Sequence, residues 1–249
     1  MRILGSNDVK TATITPGSES AGYKFDTALK ETRLSRKGRT VGVTAEYIVF
    51  NLGSAKAIDY IAILSHNFTA SVSVKIQGNA TDVWTAPSVD ETITYAADSM
   101  IYEFTSAETY QYWRLLITDT TNSDGYLQIS KVYIGDYIQM PYMAKDAKLP
   151  LISTSDIDES TSGQVYGNPG HFFRAGSVTF PYITDTERLA INSFYRLTDK
   201  FIPFILLWWE EDITTETPLY ARITNDLEWS RAPFTGKIWS LSFAIKEVF

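Results

Sequence analysis

Between Tyr47 and Gly135, apolar residues recur at every second position in short runs separated by turn formers. That spacing belongs to half-buried β-strands, whose side chains alternate between two faces. Ile48 and Phe50 alternate ahead of Asn51-Leu52-Gly53, and Ile58, Ile61 and Ile63 follow, which predicts two strands joined by a turn. Val72, Val74 and Ile76 come next at period two, then a lone Trp84, the segment MIYEF from Met100, YQYWRLLIT from Tyr110 and LQISKVYIG from Leu127. The Thr, Tyr, Ile and Val content of these runs suits strands rather than helices, and a mostly antiparallel sheet is expected.

The pattern changes twice outside this region. Residues 1–40 are polar, with turn formers at Thr15-Pro16-Gly17-Ser18 and mixed charge from Lys30 to Arg39, and predict an arm or loop that packs on something else. From 138 to 169 three prolines (Pro141, Pro150, Pro169), a run of Ser and Thr, and acidic residues between Ser153 and Thr161 predict a linker that orders against a neighbour. The last segment, 170–249, opens with a strand in which Val178 and Phe180 alternate. Thr184 then stands three residues before Glu187, a capping-box spacing, ahead of Leu189, Ala190, Ile191, Phe194 and Leu197. One amphipathic helix of about three turns follows from that spacing. Trp239, Leu241, Phe243 and Ile245 return to period two, so 170–249 reads as an α+β unit.

The chain has 249 residues, 44% of them hydrophobic and 14% aromatic, enough for a buried core in one large or two ordinary domains. A formal charge of −7 argues against nucleic acid as a partner, because phosphate neutralisation needs clustered cations. The nearest approach to a cluster, Arg33, Arg36, Lys37 and Arg39, reads as a solvated loop. Cysteine is absent, which excludes disulfides and thiolate metal sites. The segment MRILGSNDVK lacks the apolar core of a secretion signal, and the run FIPFILLWW is too short to span a bilayer. The expectation is synthesis in the cytoplasm with no membrane span.

Candidate chemistry is sparse. His66 and His171 have no evident second ligand or catalytic partner, and no glycine-rich phosphate loop occurs. Asp119, Asn122 and Asp124 gather oxygen ligands in one turn, a weak calcium candidate that departs from EF-hand spacing and reads equally as an Asx-rich turn. Glu210, Glu211 and Asp212 beside Trp208 and Trp209 suggest a glycosidase pair at first sight, but adjacent strand residues point to opposite faces, so the run reads as a solvated turn. Trp84, Trp113 and Tyr126 are candidate platforms for sugar rings, with core packing the favoured competing reading. Without an acid/base pair or an activated nucleophile, no enzyme and no cofactor are expected.

The order of strands in 41–137, with NLG, the lone Trp84, YWRL and L-x-I-x-x-V-x-I-G, resembles the discoidin, or coagulation-factor type C, jelly roll, although the family commonly carries Asp where Asn51 stands. The chain as a whole is similar to tail-tip (distal or minor tail) proteins of tailed bacteriophages, in the phrases IDYIAILSHN, YWRLLITDTTNSDGY and the closing WSLSFAIKEVF. The resemblance implies a mainly β protein with a discoidin-like β-sandwich plus a C-terminal α+β unit. It also implies a structural virion protein of the tail: an oligomeric ring at the end of the tail tube, with itself and other tail proteins as partners and the jelly roll displayed outward. The alternative it implies is a carbohydrate-binding module for host-surface glycan, with Trp113 in the YWRL strand partly buried.

Overall fold

The computed structural model describes residues 1–141, 143–144, 147–208, 218–231 and 237–248. The acidic turn expected at Glu210, Glu211 and Asp212 after Trp209 lies outside them. The chain is mainly β and divides into two compact units, one built on residues 2–138 and one on 139–206 with 219–248. No helix among the described residues is long and apolar enough to cross a membrane.

After β1 (Arg2–Leu4) and a single 3-10 turn, the first unit contains β2 (Thr13–Pro16), α1 (Phe25–Lys30), β3 (Gly38–Arg39), β4 (Glu46–His66), β5 (Ser73–Asn79), β6 (Val89–Ile93), β7 (Ser99–Thr118) and β8 (Gln128–Gly135). Their order in the sheet is β3-β8-β4-β7-β5-β6, with β2 also on β4, and every pairing is antiparallel. Two expectations are corrected here. The stretches around Ile48 and Ile61 are one strand, and so are MIYEF and YQYWRLLIT. Both long strands change partner midway: residues 46–51 of β4 pair with β2 and β7, whereas 60–66 pair with β8 and the start of β7. The break is a bulge after Asn51, where Gly53 has φ 81° and its N–H donates to Asn51 Oδ1. A left-handed residue there bends the strand without ending it.

Register explains the core. Phe50, Trp113 and Gly78 form one cross-strand row, and Ile48, Leu115 and Ile76 the next, all facing inward. Ile61, Ile63, Val132, Ile134 and Met100 supply the opposing face of the same buried cluster. A Cβ at Gly78 would sit 3.1 Å from the Trp113 ring, so the missing side chain makes room for the indole. Residues 1–40 contribute to this core. Val9, Ala12, Phe25 and Leu29 belong to this cluster, and β2 and β3 extend the sheet. The sequence hid this because α1 is short and its apolar residues, Phe25, Ala28 and Leu29, are too few to show a period.

Residues 138–169, expected as a linker, begin with a two-residue strand β9 (Ile138–Gln139) and carry β10 (Leu151–Ser153) and a hairpin of β11 (Asp156–Glu159) and β12 (Val165–Asn168). In the second unit β13 (Phe172–Thr184), β14 (Phe204–Leu207), β15 (Leu219–Ile223), β16 (Glu228–Arg231) and β17 (Ile238–Glu247) form an antiparallel sheet in the order β10-β13-β17-β15-β14, with β16 also on β17. Val178 lies opposite Phe243 and Phe180 opposite Leu241, so the two period-two runs bury a common face. The helix α2 (Asp185–Thr198) starts at the expected capping box: the Thr184 side chain accepts from the Glu187 N–H, and the Glu187 carboxylate accepts from the Thr184 N–H. It buries Ile191 and Phe194, the latter edge-on to Phe204, while Leu189 and Leu197 face outward.

Candidate functional site

At one end of the first unit the loop after β4 and the loop between β7 and β8 meet the segment before β3. Three polar side chains hold them in place. Asp119, at 0% exposure, accepts from the Thr69 N–H (2.7 Å) and hydroxyl (2.6 Å), from the Thr121 hydroxyl, and from Asn122 Nδ2. A carboxylate removed from water persists only when its lone pairs are filled in this way. Asn122 also donates to the Asn67 carbonyl and accepts from the Asp124 N–H, turning the chain through Gly125 at φ 74°. Asn67 clasps the far side: its Nδ2 donates to Asp124 Oδ2 and to the Tyr126 carbonyl, and its Oδ1 accepts from the Gln128 N–H. Both Asp119 oxygens, Asn122 Oδ1 and Asp124 Oδ2 are thus engaged by donors of the chain, and no group of three His, Cys, Asp or Glu suited to a metal occurs among the described residues.

The clasp presents Tyr126 beside Arg39. The Arg39 guanidinium lies 3.7 Å from the centroid of the Tyr23 ring and 4.5 Å from that of Tyr126, and its Nε donates to Gln128 Oε1 at 2.7 Å. Tyr23 is held there by the backbone, since the Arg39 N–H donates to its carbonyl and the Ser20 N–H to the Arg39 carbonyl. A cation between two ring faces is favoured electrostatically, and more so as water is displaced. Nearby, His66 stacks on Phe68 with centroids 4.4 Å apart, and its Nδ1 accepts from the Phe68 N–H. Its Nε2 therefore carries the proton and donates to the Ala96 carbonyl at 3.1 Å. Burial holds this imidazole below its ordinary pKa. Lys37, whose Nζ donates to Ser65 Oγ, is likewise pushed down by burial and then by the positive charge of Arg39.

A second aromatic-cation pair sits on the outer face of the sheet. The Trp84 indole N–H donates to Asp82 Oδ1 at 2.6 Å, and the Arg114 guanidinium lies 4.6 Å from the indole centroid. Arg114 Nε donates to Gln77 Oε1, Gln77 Nε2 to Asp90 Oδ1, and Lys75 Nζ to Asp90 Oδ2. Register places Arg114, Gln77 and Asp90 in one row.

The three aromatic candidates therefore go to three different surroundings. Trp113 is fully buried against Phe104 and Tyr110, so it offers no face to a sugar, and its candidacy is corrected to core packing. Trp84 lies on the outer face and Tyr126 at the loop end. No pattern of neighbouring residues points to Tyr23, Arg39 or Asn67 as site residues. Arg39 reads as one charge in a basic loop, and its stack depends on contacts with residues 16 positions before and 87 after it.

No protein-family model matches this chain, and neither does any curated protein sequence. Among solved structures it is similar to the family 32 carbohydrate-binding module of C. perfringens NanJ in complex with galactose. The identity is 14% and the TM-score 0.44, over 55% of this chain and 99% of that one. It is also similar to the CBM32 of AlyQ in complex with 4,5-unsaturated mannuronic acid (22%, TM-score 0.39, 49% of this chain and 92% of that one). A third is the lectin domain of lectinolysin complexed with Lewis B antigen (12%, TM-score 0.42, 52% and 95%). What each of these binds is a property of that protein.

Proposed function

We propose that the jelly-roll unit is a carbohydrate-recognition module without catalytic activity, and that it reads its ligand at the loop end formed around Tyr23, Arg39 and Tyr126. The observation that carries the reading is the Arg39 guanidinium within 4.5 Å of the centroids of two tyrosine rings, beside loops fixed by the buried Asp119 network. Such a combination suits sugar recognition: a ring for the C–H face of a pyranose, and a planar, oriented donor fork for its oxygens. Because both are fixed before binding, little conformational entropy is lost on contact. Titration of the full chain with soluble oligosaccharides tests this. Arg39→Gln and Tyr126→Ala abolish heat of binding while leaving the circular dichroism spectrum intact; unchanged affinity in both variants sinks the assignment.

A second reading, assembly into a ring in a virion tail with the jelly roll displayed, is favoured by the β11–β12 hairpin. All eight of its strand residues are exposed, and Ile157, Val165 and Tyr166 are more than 60% exposed. A lone two-stranded ribbon is marginal in water, and an apolar one is stabilised by a covering surface. In this reading other copies of the chain and neighbouring tail proteins supply that cover. Light scattering across a concentration series decides it: mass rises with concentration in the native chain and not in Ile157→Lys, and a strict monomer at every concentration overturns self-assembly.

A further inference from the structure

We infer that the loop end selects acidic sugars, presenting Arg39 to a carboxylate or sulfate oxyanion on the glycan. This rests on the recognition reading above and adds the chemical class of the ligand. The argument is one of charge accounting. Arg2 pairs with Glu103, Arg33 and Arg36 pair with Glu31, and Arg174 pairs with Glu247. Arg114 is tied through Gln77 to Asp90 and feels Asp82 as well. Arg39 differs: Gln128 accepts from its Nε, and among the described residues no carboxylate lies within ion-pairing distance of it. In a chain carrying seven more negative than positive charges, Arg39 is thus held by two rings and a neutral acceptor with no counter-ion among the described residues, and unlike Arg222, which donates to the Lys200 carbonyl, it lies at the loop end.

Two tyrosine rings lie against the Arg39 guanidinium and Gln128 takes its Nε–H, while the in-plane N–H fork that remains matches the two oxygens of a carboxylate or sulfate. Lys37 adds a second cation close enough to be depressed by Arg39, with its Nζ on a neutral hydroxyl. The anionic groups on adjoining loops do not neutralise the pair. Asp124 is engaged by Asn67, and Asp98 acts on Lys37 without an ion pair. An arriving oxyanion relieves the repulsion between the two cations, which a neutral sugar does not do.

The test compares each charged ligand with its own neutral form, by calorimetry on the full chain. One pair is an oligouronate and its carboxyl-reduced counterpart; the other is a sulfated oligosaccharide and its desulfated counterpart. The charged member binds about tenfold tighter or more, and the advantage shrinks between about 50 mM and about 300 mM NaCl. Arg39→Gln removes the advantage, Arg39→Lys retains only part of it because the fork is lost, and Trp84→Ala keeps it whole. An advantage in one pair alone assigns the oxyanion to carboxylate or to sulfate. Equal affinity for charged and neutral members, with Arg39→Gln weakening both, overturns the acidic selectivity and leaves sugar recognition standing. Absence of binding to every sugar overturns the recognition reading and this inference with it.

Discussion

Arg39 and Arg114 lie in the same unit, each over an aromatic ring and each donating through Nε to a glutamine. Their surroundings differ in one respect. Arg114 is linked through Gln77 to Asp90, which also holds Lys75, and it feels both Asp90 and Asp82, so two carboxylates act on this cation pair. Arg39 stands at the edge of the sheet, on loops whose carboxylates are engaged elsewhere. The same two side-chain types thus serve as a latch in one place and as an open donor in the other. What separates them is the presence of counter-charges around Arg114, Asp90 two strands away beyond Gln77 and Asp82 beside Trp84.

The strongest way to break the comparison is to remove the support of the loop end. Asp119→Ala leaves the Thr69 N–H and the Asn122 amide buried with fewer acceptors, and costs about 3 kcal/mol of unfolding free energy. Urea denaturation measures this, and a loss below about 1 kcal/mol shows that the network does not hold the loops. Next in size, Arg114→Met takes the donor from the nearly buried Gln77 Oε1 and costs about 1 kcal/mol, whereas Arg39→Met changes stability by under about 0.5 kcal/mol. Equal losses in the two variants would mean that Arg39 is a latch as well.

Acid sharpens the comparison further. The folded-state pKa of His66 lies below the ordinary value near 6.5, so the unfolded chain takes up the proton first. The contribution of neutral His66 is therefore fully present above about pH 6.5 and is lost as pH falls toward the depressed folded pKa. Protonation also ends acceptance of the Phe68 N–H at Nδ1. Relative to intrinsic exchange at each pH, the Phe68 and Asn67 amides lose protection on acidification while Gln77 on the outer face does not; a parallel loss contradicts a local effect. The smallest effect is expected from Trp84→Ala, which removes a partly exposed ring and leaves both the melting temperature, within about 2 °C, and oligosaccharide affinity unchanged.

The residues show where sequence reasoning reaches and where it stops. Phe50, Trp113 and Ile76 were legible as strand positions because burial on one face imposes period two on each strand separately. The capping box at Thr184 and Glu187 was legible because both partners lie within one turn. The continuity of β4 was not legible. Asn51-Leu52-Gly53 has the composition of a turn, and only pairing with β7 on both sides of the bulge makes it a bend within one strand. Leu189, Ala190, Ile191, Phe194 and Leu197 all belong to the helix's apolar pattern, and the fold buries only Ile191 and Phe194 of them, the latter against Phe204.

Period, composition and local caps by themselves determined that this is a β-rich chain with one capped helix, no thiol chemistry and no concentrated basic surface, because each of those properties is written in neighbouring residues or in sums over the chain. Tertiary structure decided which aromatic rings are core and which are surface, and that α1 and β2 pack into the first unit. It also decided that Asp119, Asn122 and Asp124 spend their oxygens on the chain. Only the fold brings Tyr23, Arg39 and Tyr126 together, since a stack across 103 positions of sequence depends on which strands pair, and pairing is settled by the burial of the whole core rather than by any local signal.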